Sequence, residues 1–309
     1  MGFKSQRPKA TGPIHIANNW QGPLLVPELP EVETMRRGII ACQGATITKL
    51  LRPRCRLKPV SIQPALSHLR RRIVGSKIAA IERLGKRLIL RLDHDQRLIF
   101  EPRMTGLLLL TAPPDPQHLR LCLELAPHDR RRGPQKLLFW DRRGLGTVRL
   151  FTPGQFASQL GPQQLGPDAL EITAAQFRTR LGESRREIKV GLLDQKAIAG
   201  IGNIYAAEIL FTARIHPCSS CRRLRSKDWG ALARATRTIL NKAIRYEGST
   251  LNDGTYRNAL NRQGRYQQHH RVYAREGEKC DRCGQSEVRR IVQCQRATFF
   301  CPGCQKKRS

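Results

Sequence analysis

The sequence predicts an α+β, multidomain chain: an N-terminal antiparallel β-sandwich, a helical module and a small C-terminal ribbon. Three observations carry the prediction. From Ala45 to about Leu150, apolar and polar residues alternate in short runs separated by turn residues, the period of half-buried strands. After Phe151 the apolar spacing becomes helical. Last, Cys280-x2-Cys283 is followed after 17 residues by Cys301-x2-Cys304, the spacing of a four-thiolate zinc ribbon.

Taken in order, residues 1–26 are rich in Pro, Gly and Asn without periodicity, so disorder is expected there. Pro27 and Glu28 stand just ahead of an amphipathic helix. Pro30 suits its first turn, Glu31 and Glu33 meet the positive end of the helix dipole, and Val32, Met35 and Ile39 share a face. Taken alone, Pro-Glu-x-Pro-Glu also fits an ordinary proline-capped surface helix. Strands are expected at 45–51, 73–83, 106–111, 119–125, 136–141 and 146–151, with a hairpin from Leu88–Leu92 and Leu98–Phe100. In the 119–125 run, Leu119, Leu121, Leu123 and Leu125 point inward while Arg120, Cys122 and Glu124 point outward. Such a series of short strands favours a sandwich. Thr152-Pro153-Gly154, Gly161-Pro162 and Gly166-Pro167 then mark a boundary. Helices follow at 174–181, 186–194, 203–213 and 227–246, the last capped by Ser226 with Leu232, Ala235, Ile239, Ala243 and Ile244 on its buried face. The polar segment 248–270 reads as a mobile loop.

Lys and Arg number 56 against 24 acids among 309 residues, a formal charge of +32. That field attracts a polyanion and disfavours a small neutral substrate. No apolar run approaches the roughly 20 residues that span a bilayer. Lys4, Arg7 and Lys9 are not followed by an apolar segment, so a secretory signal is not expected and cytoplasm or nucleoid is. In that setting the cysteines read as metal ligands rather than bridges. Four thiolates leave no open coordination position, so the zinc would build structure and activate no water. Cys218 and Cys221, with His216 nearby, form a second pair that nothing completes, and Cys294 has no evident partner. Between Gln195 and Glu208, Gly200 and Gly202 precede a helix without a dinucleotide-binding pattern. The turn offers backbone N–H groups, with Asn203 at a cap position, which suits one phosphate; an ordinary helix-turn-helix core explains the glycines equally.

Pro27-Glu28-Leu29-Pro30-Glu31-Val32-Glu33-Thr34, followed by Arg36, Arg37 and Gly38, resembles the opening of the formamidopyrimidine-DNA glycosylase family, which repairs oxidised bases. The 195–208 stretch, continued through Phe211, Ile215, His216 and Pro217, is similar to that family's helix-two-turn-helix segment. Gln295-Arg296-Ala297-Thr298-Phe299-Phe300-Cys301 is similar to its terminal zinc finger. The resemblance runs from 27 to 304 in the family's order. It implies an extension (1–26), a catalytic β-sandwich (27–152), a helix-two-turn-helix DNA-binding domain with a lesion-recognition loop (153–270) and a zinc-finger domain (271–309).

It also implies a bifunctional, monomeric enzyme that excises oxidised purines such as 8-oxoguanine from double-stranded DNA and then breaks the strand. Pro27 as a free secondary amine would attack C1′, Glu28 would move protons, Glu31 would position the amine or the sugar, and Lys86 in Gly85-Lys86-Arg87 would be the family's catalytic lysine. An α-amino group with pKa about 7.7–8.0 is partly unprotonated at neutral pH. Met104 resembles the methionine that fills the gap left by a flipped base, and Arg143 the arginine facing the unpaired partner. Lys189, Asn203 and Arg296 resemble contacts to the DNA backbone. The chain departs from the family at Gly144 and Leu145, where a second arginine and a phenylalanine are usual, and at Glu101-Pro102-Arg103, where His-Leu-Gly is usual. As written, Pro27 is locked in an amide after Val26; a start at a GTG codon read at Val26, with the methionine then removed, would free it. Leu29, where a sister subgroup acting on oxidised pyrimidines has glycine, favours purines. The competing expectations are that oxidised-pyrimidine activity, a non-catalytic duplex or damaged-DNA binder, and a zinc-ribbon RNA-associated protein.

Overall fold

Helix α1 (Leu29–Gly38) is wedged between the sandwich and the helical module, packing on strands of the former and on the longest helix of the latter. Leu29, Val32, Met35 and Ile39 are fully buried, so the expected face is present. The structure is a computed structural model describing residues 27–128, 133–251 and 254–307; the disorder expected for residues 1–26 lies outside them.

The sandwich comprises β1 (Thr46–Leu51), β2 (Ser61–Gln63), β3 (Ile78–Leu84), β4 (Arg87–Leu92), β5 (Arg97–Glu101), β6 (Gly106–Leu109), β7 (Leu119–Ala126), β8 (Lys136–Asp141) and β9 (Thr147–Phe151). One sheet runs β1-β7-β8-β6, the other β2-β9-β5-β4-β3. Phe100 and Phe139 join them, ring centroids 5.4 Å apart in an edge-to-face contact. The architecture is as expected, with corrections. Strand β2 runs parallel to β9; these strands are remote in sequence, so no tight turn imposes an antiparallel pairing. The expected strand at 73–83 begins only at Ile78, because α2 (Leu66–Ile73), with only Leu69 and Ile73 inside, takes the chain to Ile73 and a turn with Gly75 at φ 89° follows it. Arg120 is buried in β7, where its guanidinium serves backbone and thiol acceptors.

Beyond the sandwich come α3 (Pro153–Leu160), α4 (Ala174–Leu181), α5 (Ile188–Leu193), α6 (Asn203–Thr212) and α7 (Ser226–Arg245). Thr152 caps α3 through the Gln155 N–H at 3.3 Å. Ser226 is not the cap of α7 but its first residue; Arg225 takes that place, and its N–H donates to Asp228 at 2.8 Å. The five residues expected on the α7 inner face are all buried. The segment 248–270, expected to be a mobile loop, has a packed interior among its described residues. Tyr256, Ala259, Tyr266 and His270 are buried, and the Thr250 hydroxyl donates to the Tyr256 carbonyl at 2.7 Å. Polar side chains hydrogen-bonding to nearby backbone give it structure without hydrophobic periodicity. The chain closes with β10 (Arg289–Gln293) and β11 (Arg296–Phe300), joined by a two-residue turn in which Cys294 and Gln295 have φ of 46° and 61°; β11 packs against α6.

Candidate active site

Glu28, the residue before α1, is buried although it carries a carboxylate. The N-terminus of α6 is what holds it. The Ile204 N–H donates to its Oε1 at 2.9 Å and the Tyr205 N–H reaches Oε2 at 3.4 Å, so the helix's unpaired donors and positive end serve a carboxylate. The anion-binding turn expected here for a phosphate is therefore filled by the protein's own side chain. Gly202, not Asn203, is the cap. A Cβ on it would lie 2.2 Å from Glu28 Cδ, so only glycine allows this approach. Burial raises the Glu28 pKa, while Lys86 and the α6 N–H groups pull it back.

Glu31 sits one helical turn on, fully buried. It accepts the Glu28 N–H at 3.0 Å, the Tyr205 hydroxyl at 2.6 Å and the Ser249 N–H at 2.9 Å. Ser249 Oγ in turn lies 3.0 Å from His270 Nε2. Burial, and then the neighbouring Glu28 charge, push Glu31 up to about 7; burial lowers His270 to about 3, which keeps it neutral. Two carboxylates with raised pKa, bridged through the Glu28 N–H, therefore follow Pro27, itself buried, along the chain. Tyr205, Ser249 and His270 were not identified from the sequence. Ser249 and His270 lie in the polar segment 248–270, where nothing in the sequence sets them apart, and Tyr205 lies on a helix without a distinguishing pattern.

Cations face this centre. Lys86 lies in the β3–β4 turn, which Asp168 anchors by accepting the Gly85 N–H at 3.3 Å and two Arg83 bonds at 2.6 and 3.0 Å. Burial lowers the Lys86 pKa, Glu28 opposes that and Arg296 adds to it, so Lys86, Glu28 and Arg296 share one electrostatic neighbourhood. Arg296 is exposed at the start of β11. Lys189, expected at the DNA, is instead buried one layer behind. Its Nζ donates to the Ala297 carbonyl at 2.9 Å and to Thr298 Oγ1 at 2.5 Å, and burial brings it down to about 7. Asn203 Nδ2 donates to the same carbonyl at 3.1 Å. Both residues thus hold the hairpin that displays Arg296.

Met104 and Arg143 meet at the tips of separate loops, with Arg143 Nη1 3.0 Å from Met104 Sδ. Asp141, fully buried, shapes the Arg143 loop by accepting the N–H groups of Arg143 at 3.2 Å and Gly146 at 2.7 Å, and the Thr105 hydroxyl. Away from both clusters, the thiols of Cys280, Cys283, Cys301 and Cys304 lie within 4.8 Å of one another. Their separations of 3.8 Å (280 to 304) and 3.7 Å (283 to 301) match the about 3.8 Å edge of a tetrahedron with about 2.3 Å metal–sulfur bonds. This set could hold a metal ion. Cys218 and Cys221 join no such group among the described residues.

Family models match the chain in succession: the formamidopyrimidine-DNA glycosylase N-terminal domain over residues 26–148 and the formamidopyrimidine-DNA glycosylase H2TH domain over residues 160–255. Fold and matches together define a DNA-binding glycosylase of DNA repair. The formamidopyrimidine-DNA glycosylase of Chloroflexus aurantiacus is 40% identical over 91% of this chain and 98% of its own length. That of Bacillus subtilis is 36% identical over 92% and 100%. Among solved structures, Lactococcus lactis Fpg in complex with abasic-site DNA superposes with a TM-score of 0.78 at 33% identity, covering 91% of this chain and 100% of the other. MutM (Fpg) of Thermus thermophilus gives 0.77 at 35%, covering 92% and 100%. The chain belongs to the formamidopyrimidine-DNA glycosylase family.

Proposed function

We propose that this chain removes oxidised purines from duplex DNA through a Pro27 imine and then cleaves the strand by β,δ-elimination. The observation that carries the reading is the pairing of Pro27 with a buried carboxylate, Glu28, clamped at a helix N-terminus and faced by Lys86. The Pro27 lone pair attacks C1′ as the glycosidic bond breaks, and the base leaves with the bonding electrons and a proton; the Pro27 nitrogen then loses its own proton, and its lone pair opens the C1′–O4′ bond, O4′ taking up a proton, to leave an iminium at C1′. The resulting iminium draws electrons from C2′, so loss of the C2′ proton expels the 3′ phosphate; a second elimination expels the 5′ phosphate, and water hydrolyses the imine. Glu28, with its raised pKa, gives and takes the protons. Glu31 orients Glu28 through the Glu28 backbone N–H. All of this requires Pro27 to lead the polypeptide, because an amide nitrogen has no nucleophilic lone pair.

Flipping the base costs a few kcal/mol. Met104 enters the gap and Arg143 meets the unpaired base, while Arg296 binds phosphate from a hairpin held by Lys189 and Asn203. The thiol set takes zinc, which supplies structure alone. The Lactococcus lactis neighbours bound to abasic-site and, in a mutant, Fapy-dG-containing DNA support this substrate class. Excision assays on duplexes carrying 8-oxoguanine, a formamidopyrimidine or an oxidised pyrimidine, with protein beginning at Pro27, test it. The reading expects purine lesions to be cleaved fastest and Glu28→Gln to slow excision about 10²–10⁴-fold; excision unchanged in that variant contradicts it.

A further inference from the structure

Arg52, Arg54, Arg56 and Lys58 fall within seven residues of the loop between β1 and β2, and all are exposed. Among the described residues none of them is paired with a carboxylate. Like charges so crowded repel one another, and a polyanion relieves that repulsion.

The loop is fixed to the one that carries Arg143. A single buried guanidinium, Arg120, joins them: its Nη1 donates to Cys55 Sγ at 2.8 Å, its Nε to the Asp141 carbonyl at 2.7 Å and its Nη2 to the Arg142 carbonyl at 3.4 Å. The Cys55 thiol donates onward to the Gln117 carbonyl at 3.1 Å. The backbones also touch. Gly144 has φ +62°, and a Cβ there would lie 2.3 Å from the Lys58 carbonyl oxygen. No side chain fits at 144, so the second arginine expected of the family has no room, and the 52–58 loop occupies the ground beside Arg143.

We propose that residues 52–58 form a second DNA-contact surface, in which Arg52, Arg54, Arg56 and Lys58 engage phosphates of the strand opposite the lesion. The inference rests on the proposed function, since Arg143 is what turns this face toward that strand. It adds a cationic platform that substitutes for the missing arginine and holds the complementary strand while the damaged nucleotide is out of the stack.

Binding to a duplex with a tetrahydrofuran abasic analogue, measured against salt for the parent and for R52A/R54A/R56A/K58A, tests it. Counterion release gives a slope of about 0.9 per phosphate, so the variant's slope should be shallower by about 2–4. An unchanged slope overturns the proposal. A second measurement leaves the protein untouched: neutral methylphosphonates opposite the lesion should flatten the parent's slope and not the variant's. If flattening instead follows methylphosphonates in the lesion strand, the strand assignment is wrong. Borohydride trapping of protein beginning at Pro27, on duplex containing 8-oxoguanine, is read separately; if it fails while the slopes behave as stated, the chemistry falls and the surface stands.

Discussion

At the scale of residues, the site works by placing carboxylates where water cannot solvate them and backbone donors can. Gly202 is the narrowest point of that arrangement. Gly202→Ala would put a Cβ 2.2 Å from Glu28 Cδ, so the carboxylate must leave the α6 N-terminus. The expected result is a loss of excision of at least about 100-fold, with affinity for undamaged duplex within a few-fold, read by parallel kinetic and binding assays. Glu31 gives a pH signature. Its folded value near 7 lies above the ordinary 4.5, so the folded state binds the extra proton between those limits and stability falls as pH rises through them. Glu31→Gln removes that contribution, and urea midpoints measured from pH 4.5 to 7 should decline less steeply than in the parent. The pairing of Glu28 with Glu31 was legible because both sit in one short motif. Tyr205 and Ser249 were not, since they reach Glu31 across 174 and 218 positions of sequence.

At the scale of elements, strands and long helices announced themselves through periodicity, while elements held by polar contacts did not. Helix α2 hides behind three consecutive arginines, and 248–270 behind a polar composition. Lys189 was misplaced for a related reason: sequence cannot tell a surface lysine from one spent on the Ala297 carbonyl and Thr298. Ala274, exposed at φ +59° where the link enters the ribbon, carries left-handed strain. Ala274→Gly should stabilise the protein by about 1 kcal/mol, seen as a thermal midpoint about 2 °C higher. The ribbon itself depends on its thiols. A zinc chelator should release one ion per chain and weaken duplex binding at least about 10-fold, because the β10–β11 hairpin displaying Arg296 loses its anchor; titration with a zinc-sensitive dye and a binding isotherm check both.

At the scale of the whole molecule, a charge of +32 supplies attraction to DNA, and α1 supplies the geometry. That helix lies between sandwich and helical module, so a carboxylate from the first is clamped by a helix of the second. Charge and domain order were readable from the sequence; the interlock was not, because it exists only once both halves are folded. The central claim concerns the nitrogen of Pro27. Protein beginning at Pro27 and the full 309-residue chain should each be mixed with duplex containing 8-oxoguanine, reduced with borohydride, and the adduct mapped by mass spectrometry. The account predicts a covalent DNA adduct on Pro27 of the first protein and none on Pro27 of the second; an adduct on any other residue, or none in the protein beginning at Pro27, would contradict it.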